Sequence, residues 1–392
     1  MRVTFKTPEL QRRIQQLGSV ISSKAPTPAY ALVQFYSKPG EQAVFIGTAL
    51  DATLTVTLKE SATTGDGEVN VLLDYKLLAD VVASYPYAEG SFDVEEGKVT
   101  LRGPKKFRAV LEGRSENDFH APLPAEGTPV TLKLADLQQQ IAEVEYAIET
   151  QNTKFRCSVA KLEARGDKGL TLIATDGFRI VFSTKLVDVG TFDSALPKSA
   201  LDLIKGLDGG VYVTMYQSES GFCFQTEKEY LTVQRVAGEF PPYEGILPKT
   251  HKTAIDVPEA SFEAVSNAMR ALADRDKPVV IFSVTGGGKD EAGAYAPTAA
   301  TLALEAEKVR AGTGTDLTFD AVGSDEIEGV LVTGPAATFS LDVKMLLEFL
   351  KHAKVEKLHI QTKDPVSVVD FRANENFRYL QMPTRPKPAP KA

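Results

Sequence analysis

VTFKTPELQRRIQQLGSVI, residues 3–21, places Val3 and Phe5 in alternation and then Leu10, Ile14, Leu17 and Ile21 at spacings of four, three and four. Alternation suits a half-buried strand and the later spacing suits one face of a helix, so a strand running into an amphipathic helix is predicted. The same pattern returns in VTLKLADLQQQIAEVEYAI, residues 130–148, where Leu137, Ile141, Val144 and Ile148 follow Val130, Leu132 and Leu134 at an offset of 127. A looser third copy, TAIDVPEASFEAVSNAMRAL at 253–272, sets Ile255 and Val257 before Phe262, Val265, Met269 and Leu272. A pattern repeated at this period fixes architecture before any motif is considered.

Each copy has a second half. The stretches LLDYKLLADVVASYP (72–86), ALPKSALDLIKGLDGG (195–210) and SLDVKMLLEFLKHAKVEKLHI (340–360) predict a second helix leading into strands. Leu78, Val81 and Val82 share their spacing with Leu346, Phe349 and Leu350. Short alternating segments broken by turn residues, as in FDVEEGKVTLRGPKKFRAVLEG and VYVTMYQSESGFCFQTEKEYLTVQRV, read as antiparallel hairpins. DFHAPLP (118–124) and EFPPYEGILP (239–248) close the first two copies, which sets boundaries near 125 and 250. The expectation is an α+β chain of three tandem modules, 1–125, 126–250 and 251–392, each with two helices and about eight strands packed helix on sheet. Arg12, Arg13, Gln15, Gln16 and Gln138 to Gln140 are expected to present a solvated or ligand-facing helix surface.

A chain of 392 residues exceeds the size of one growing core, and its 43% hydrophobic and 24% charged residues are those of a folding globular protein. The start, MRVTFKTPELQRR, lacks an apolar signal-peptide region, and no run of 18 apolar residues occurs, so a cytoplasmic location is expected. Cys157 and Cys223 have no metal-ligand spacing and read as reduced thiols. A net charge of −8 repels nucleic acid on average, so any contact with DNA must be local.

Motifs for catalysis are missing from the sequence. His120, His251, His352 and His359 have no metal-site partners in spacing. Gly286-Gly287-Gly288-Lys289 lacks the Ser/Thr and the earlier glycine of a phosphate loop. No G-x-S-x-G elbow occurs. No cofactor or metal is implied, although an active site of scattered residues would escape such inspection.

Three segments carry a resemblance. ATDGFRIV (Ala174–Val181), EFPPYEGILP and RYLQMPTR (378–385), in that order on a threefold repeat, are similar to the signatures of the β sliding clamp of bacterial DNA polymerase III, from end to end of the chain. The resemblance implies a homodimeric head-to-tail ring of six similar domains, with helices lining the hole and sheets outside. It also implies a non-enzymatic processivity factor that encircles duplex DNA without reading its sequence. The partners implied are the polymerase III alpha subunit, the clamp loader, and other polymerases and repair proteins that bring short linear peptides. Basic residues on inward helix faces would then coexist with an acidic exterior.

Residue by residue, the family's peptide groove maps onto Cys157, Thr175, Gly177, Phe178, Arg179, Ile180, Pro241, Ile246, Met345, Val366, Val368, Leu380, Met382, Pro383 and Arg385. In that set Met345 and Met382 adapt to different peptides, while Arg179 and Arg385 are expected to grip a carbonyl or carboxylate. The duplex-facing positions map onto Lys24, Gln151, Asn152, Lys154, Phe155 and Arg156, and helix position adds Arg12 and Arg13. Phe107 and Leu272 are the candidates for the dimer interface. Phe178 stands where the family often has histidine, Met345 where tyrosine is common and Thr384 where methionine is usual, so the pocket shape is expected to differ. Residues 386–392, a Pro/Lys tail, continue past the family's end, and 283–337 is longer than the family leads one to expect and rich in Gly, Ala and Thr. The alternatives are a repeat-built β-rich adaptor that binds peptides without encircling DNA and, third, an enzyme.

Overall fold

The computed structural model describes residues 1–21, 27–114, 119, 122–149, 158–235, 240–275, 277–311 and 318–384, with backbone alone at 307–311 and 318–321. Contacts gather into two compact units. The first is Met1–Gln138 with Leu196–Ala237, and the second is Gln139–Ala195 with Gly238–Ala392.

The first unit holds two antiparallel sheets. One runs β5 (Ala62–Thr64), β1 (Arg2–Lys6), β7 (Glu89–Glu95), β8 (Lys98–Arg102), β9 (Arg108–Glu112). The other runs β10 (Val130–Lys133), β15 (Tyr212–Gln217), β16 (Gly221–Gln225), β17 (Glu229–Gln234), β4 (Ala52–Thr57), β3 (Val44–Thr48), β2 (Leu32–Ser37), β6 (Val69–Asp74). The second unit is organised on one twelve-stranded sheet: β14 (Thr191–Pro197), β11 (Val159–Arg165), β12 (Leu170–Thr175), β13 (Arg179–Lys185), β25 (Phe377–Gln381), β24 (Val369–Asn374), β23 (Lys357–Thr362), β18 (Thr253–Pro258), β21 (Thr318–Thr333), β20 (Thr298–Ala311), β19 (Val279–Val284), β22 (Ala337–Asp342).

The helices are α1 (Thr7–Leu17), α2 (Tyr75–Ala83), α3 (Leu134–Val144), α4 (Lys198–Lys205), α5 (Glu259–Leu272) and α6 (Val343–Leu350). The α+β class and the order of elements are as expected. Each repeat begins strand–helix (β1–α1, β10–α3, β18–α5) and carries a second helix directly after a strand (β6–α2, β14–α4, β22–α6). Among the described residues the thirds hold nine, eight and eight strands.

The helices form for local reasons. Pro8 in the first turn of α1 costs no intrahelical bond, and Asp74 and Asp342 cap α2 and α6 by accepting from Leu77 N and from Lys344 N and Met345 N. Leu10, Ile14 and Leu17 are buried, as their spacing required, each contributing roughly 1.5–3 kcal/mol of transfer free energy.

The polar faces of α1 and α3 depart from expectation. Arg13 and Gln140 are fully buried. Gln140 donates to the carbonyls of Leu170 and Ser183, both at 3.0 Å, and Gln138 donates to those of Lys205 and Leu207. A glutamine amide supplies two donors that satisfy strand or loop carbonyls a hydrophobic residue would leave unpaired.

The stretch 283–337 is accounted for by β20 and β21, a hairpin of long strands preceded by a glycine turn. Gly287 N donates to the carbonyl of Gly334 at 2.8 Å, and a Cβ there would lie 2.6 Å from the carbonyl oxygen of Val332. These glycines allow close backbone packing.

Candidate functional site

In the second unit the turn between β12 and β13 is built by its own side chains. Gly177 takes φ 89°, Thr175 Oγ1 accepts from Gly177 N at 3.0 Å and donates to the carbonyl of Arg179 at 2.6 Å. Asp176 Oδ1 accepts from the backbone N–H groups of Phe178 and Arg179 at 2.9 and 3.1 Å. With the turn so tied, Phe178 stands out from the surface, 57% exposed. Its carbonyl accepts from Met382 N at 2.9 Å, which fixes Met382 beside it.

Ile180 and Leu380 lie opposite one another across β13 and β25. They form a buried cluster with Ile173 and Tyr243, against which Phe182, Phe240, Leu247 and Val368 pack. From its margin rise exposed apolar side chains: Phe178, Ile246, Val366 and Met382, each one or two residues along the chain from a member of that cluster. Pro241 and Pro383 are half-buried neighbours of Phe240 and Met382. An apolar floor with exposed apolar walls suits an apolar segment of a linear peptide.

Thr384 fastens the end of this wall, its N–H and hydroxyl donating to Ser340 O at 2.9 and 3.1 Å while Ser340 Oγ donates to its carbonyl at 2.5 Å. Beneath the floor, the Tyr243 hydroxyl donates to Glu163 Oε1 at 2.8 Å. Glu163 is also paired with Lys161 and Arg165, and burial pushes the Tyr243 hydroxyl well above its ordinary pKa. The sequence reading missed Tyr243, Phe240, Leu247 and Glu163, although the first three sit in the quoted EFPPYEGILP.

Two expectations need correction. Arg179 is not free to grip a peptide. It donates to Asp176 Oδ2 at 2.9 Å, to the Met345 carbonyl at 3.2 Å, to Glu348 Oε2 at 2.6 Å and to the Tyr146 carbonyl at 2.6 Å. Its guanidinium also lies 5.2 Å from the centre of the Tyr146 ring, whose other neighbour is the stacked imidazole of His352. Arg179 and the backbone of half-buried Met345 are therefore joined as a strut between β13 and α6.

Arg13 is not a DNA-facing residue either. Its side chain is 0% exposed and its Nη1 reaches Glu229 Oε1 and Asp208 Oδ1, both at 2.7 Å. Glu229 further accepts from Gln16 at 2.8 Å, Gly209 N at 2.7 Å and Thr226 Oγ1 at 3.1 Å, the environment a buried carboxylate needs. Arg12 is exposed, 3.5 Å from Asp208.

Lys24, Gln151, Asn152, Lys154, Phe155, Arg156, Cys157, Arg385 and the tail 386–392 lie outside the described residues. Phe107 is half-buried against Tyr85 and Tyr87, and Leu272 is half-buried over Gly323, where a Cβ would lie 2.1 Å from Leu272 Cδ1. Among the described residues no group of three His, Cys, Asp or Glu side chains could hold a metal ion. His359 pairs with Asp256 at 2.6 Å, and Cys223 is buried and unbridged. Among the described residues no helix is long and apolar enough to cross a membrane.

No family model matches the chain. Among curated proteins it is 23% identical over 398 residues to the β sliding clamp of Synechococcus elongatus, covering 98% of this chain and 99% of that relative. It is 22% identical over 341 residues to the β sliding clamp of Lactococcus lactis, covering 84% of each. Among solved structures it resembles the DNA polymerase III subunit beta of Pseudomonas aeruginosa, with a TM-score of 0.82 and 19% identity over 98% of this chain and 100% of that one. The DNA polymerase sliding clamp of Bacillus subtilis gives a TM-score of 0.81 and 17% identity over 99% and 100%.

Proposed function

We propose that the chain is a bacterial β sliding clamp and acts as the non-catalytic processivity factor of the replicative polymerase: a homodimeric ring around duplex DNA, in the cytoplasm, that docks partners by linear peptides. The observation that carries this reading is likeness to curated clamps along nearly the whole chain, joined to the same fold. Three modules, 1–125, 126–250 and 251–392, with the tail at 386–392, are the units of such a ring, because the order of elements repeats with them even though contacts bundle half of the middle module with each end.

The groove set that remains is Thr175, Gly177, Phe178, Ile180, Pro241, Ile246, Met345, Val366, Val368, Leu380, Met382 and Pro383, with Cys157 and Arg385 from the family mapping. It takes the apolar residues of polymerase, clamp-loader and repair-protein peptides, with Arg179 as an internal support. The exposed cations Arg12, Lys76 and Arg270 on helices and Lys351 just past the end of α6 join Lys24, Gln151, Asn152, Lys154, Phe155 and Arg156 as the duplex-facing set. Their contacts are to phosphate, so binding weakens steeply with salt and carries no base preference.

Retention on circular DNA is the test. Loaded onto a nicked circle by its cognate loader, the protein should stay through gel filtration in high salt and leave within minutes once the circle is cut to a line. Equal loss from circle and line means that it binds DNA without encircling it, and the ring reading fails.

A further inference from the structure

The floor of the groove continues along the sheet into charge. Phe182, packed on the groove cluster, lies opposite Arg378 of β25, Arg378 opposite Arg372 of β24, Arg372 opposite His359 of β23, and His359 opposite Asp256 of β18. Residues directly opposite one another share a face, here the one turned away from α5, whose Phe262 meets Phe371 on the other side. In the neighbouring row of the same face, Leu380 of the groove floor lies opposite Asp370, and Asp370 opposite Gln361.

Asp370 is the centre of this patch. It is fully buried and accepts from Arg378 Nε at 2.9 Å, Arg378 Nη2 at 2.8 Å and Arg372 Nη2 at 3.2 Å. His251, at the end of the loop whose Leu247 packs on the groove cluster, has its Nε2 3.7 Å from Asp370. His359 Nδ1 lies 2.6 Å from Asp256 Oδ1. One buried carboxylate thus steadies two guanidinium groups, and what reaches the surface is cationic: the Arg372 side chain is 43% exposed, that of Arg378 24% and that of Asp370 0%. Around it Arg372 Nε, His251 Nδ1 and Gln361 Oε1 are buried and have no hydrogen-bond partner. Unpaired buried polar atoms are rare, and three about one carboxylate suit a site that takes a further polar group.

The first unit shows that the fold does not require this charge. There Gln234 N donates to Asp51 O at 2.8 Å as Met382 N donates to Phe178 O at 2.9 Å, and Asp51 precedes Phe178 by the offset of 127 that relates α1 to α3. In that register the row Phe182, Arg378, Arg372, His359, Asp256 becomes Thr55, Tyr230, Gln225, Thr214, Thr131, with no formal charge. Cys223 stands in the place of Asp370, and Thr232 in that of Leu380. A carboxylate buried with two arginines costs desolvation that neutral residues avoid, so stability alone does not account for the charged row.

We propose that Arg372 and Arg378, with His359 beside them, bind carboxylate side chains in an acidic segment that flanks the apolar residues of a docking peptide. This rests on the groove reading and extends it to a second contact. Arg372 is two residues along β24 from Asp370, so its Cα is about 7 Å along and about 5 Å across from that of Leu380, a span of about two to four extended residues. A guanidinium fork matches a carboxylate, and Asp370 holds both forks in place before the ligand arrives, which lowers the ordering cost of binding.

Fluorescence anisotropy with synthetic peptides on the full-length protein tests the site. The clamp-binding segment of the cognate polymerase alpha subunit is extended by three Glu, three Ser or three Lys at one end or the other. On wild type, Glu at one of the two ends should bind about fivefold tighter than Ser at that end, and Lys more weakly than Ser. The gain should shrink to less than about twofold in roughly 0.5 M salt, where exposed charges are screened. Arg372→Gln should abolish the gain and leave the Ser-extended peptides within about twofold of their wild-type affinity, since Arg378 still holds Asp370. Arg372→Glu should reverse the order, with Lys above Glu; Arg372→Gln decides the matter if a glutamate beside Asp370 prevents folding. A Glu gain missing at both ends, or equally large in Arg372→Gln, overturns the acidic site and leaves the groove standing; Ser-extended peptides that do not bind wild type overturn both.

Discussion

Arg13 in the first unit and Arg179 in the second are arginines folded into the interior, and the two are buried differently. Arg179 spreads its donors over two fixed backbone carbonyls and two carboxylates, Asp176 and the partly exposed Glu348. Arg13 spends one nitrogen on Gln16, Asp208 and Glu229, while its Nε and Nη2 have no hydrogen-bond partner. Glu229 meanwhile keeps several donors besides Arg13. The contrast teaches that burial of a charge does not by itself measure its structural weight; what matters is what its removal leaves unpaired.

The largest effect is expected at Arg179. Arg179→Ala strands the carbonyls of Tyr146 and Met345 and a buried Asp176, and should cost about 3–5 kcal/mol in denaturant unfolding of the second unit, with loss of peptide affinity measured by calorimetry. An unchanged midpoint would break the comparison at its stronger end. Arg13→Met should cost less, about 2 kcal/mol, because Glu229 retains Gln16, Gly209 N and Thr226 and the two unpaired nitrogens disappear. A cost equal to that of Arg179→Ala would show that satisfied carbonyls are not the deciding factor.

The smallest effect is one of pH. Burial lowers the pKa of His352, stacked on Tyr146 behind Arg179, and outweighs the opposing pull of Glu143 and Glu145. With the folded value below the unfolded one, the unfolded chain binds more protons, so stability is complete above about pH 6.5 and falls as pH drops toward the folded value. His352→Gln should flatten that slope in melts between about pH 5 and 7. His251, lowered also by burial, has the same sign, so the difference between variant and wild type is the quantity to read.

Most of the fold was legible because it rests on short-range periodicity. Leu10, Ile14 and Leu17 announce α1, and the repeat of that spacing announces α3. The turn between β12 and β13 was legible through ATDGFRIV, whose Thr175, Asp176 and Gly177 bond within four residues of one another. The roles of Arg13, Gln140 and Arg179 were not. A helical or strand pattern assigns an arginine to the outside, and nothing local signals a carboxylate at Glu229 or a carbonyl at Met345 brought in from far along the chain. Polar residues with distant partners are where reading by hydropathy fails, since the partner rather than the residue decides the face.

The pairing of β4 with β17 also has a consequence for synthesis. While the ribosome is still making the middle of the chain, β4 has no neighbour on one side, and its ladder closes only when residues 229–234 emerge. The nascent N-terminal stretch therefore carries an open, hydrogen-bond-hungry flank for the time taken to translate more than a hundred codons, at roughly 5–20 residues per second. Slow synthesis or truncation upstream of Glu229 exposes that flank to other nascent chains, which makes this the interval in which a chaperone has most to do.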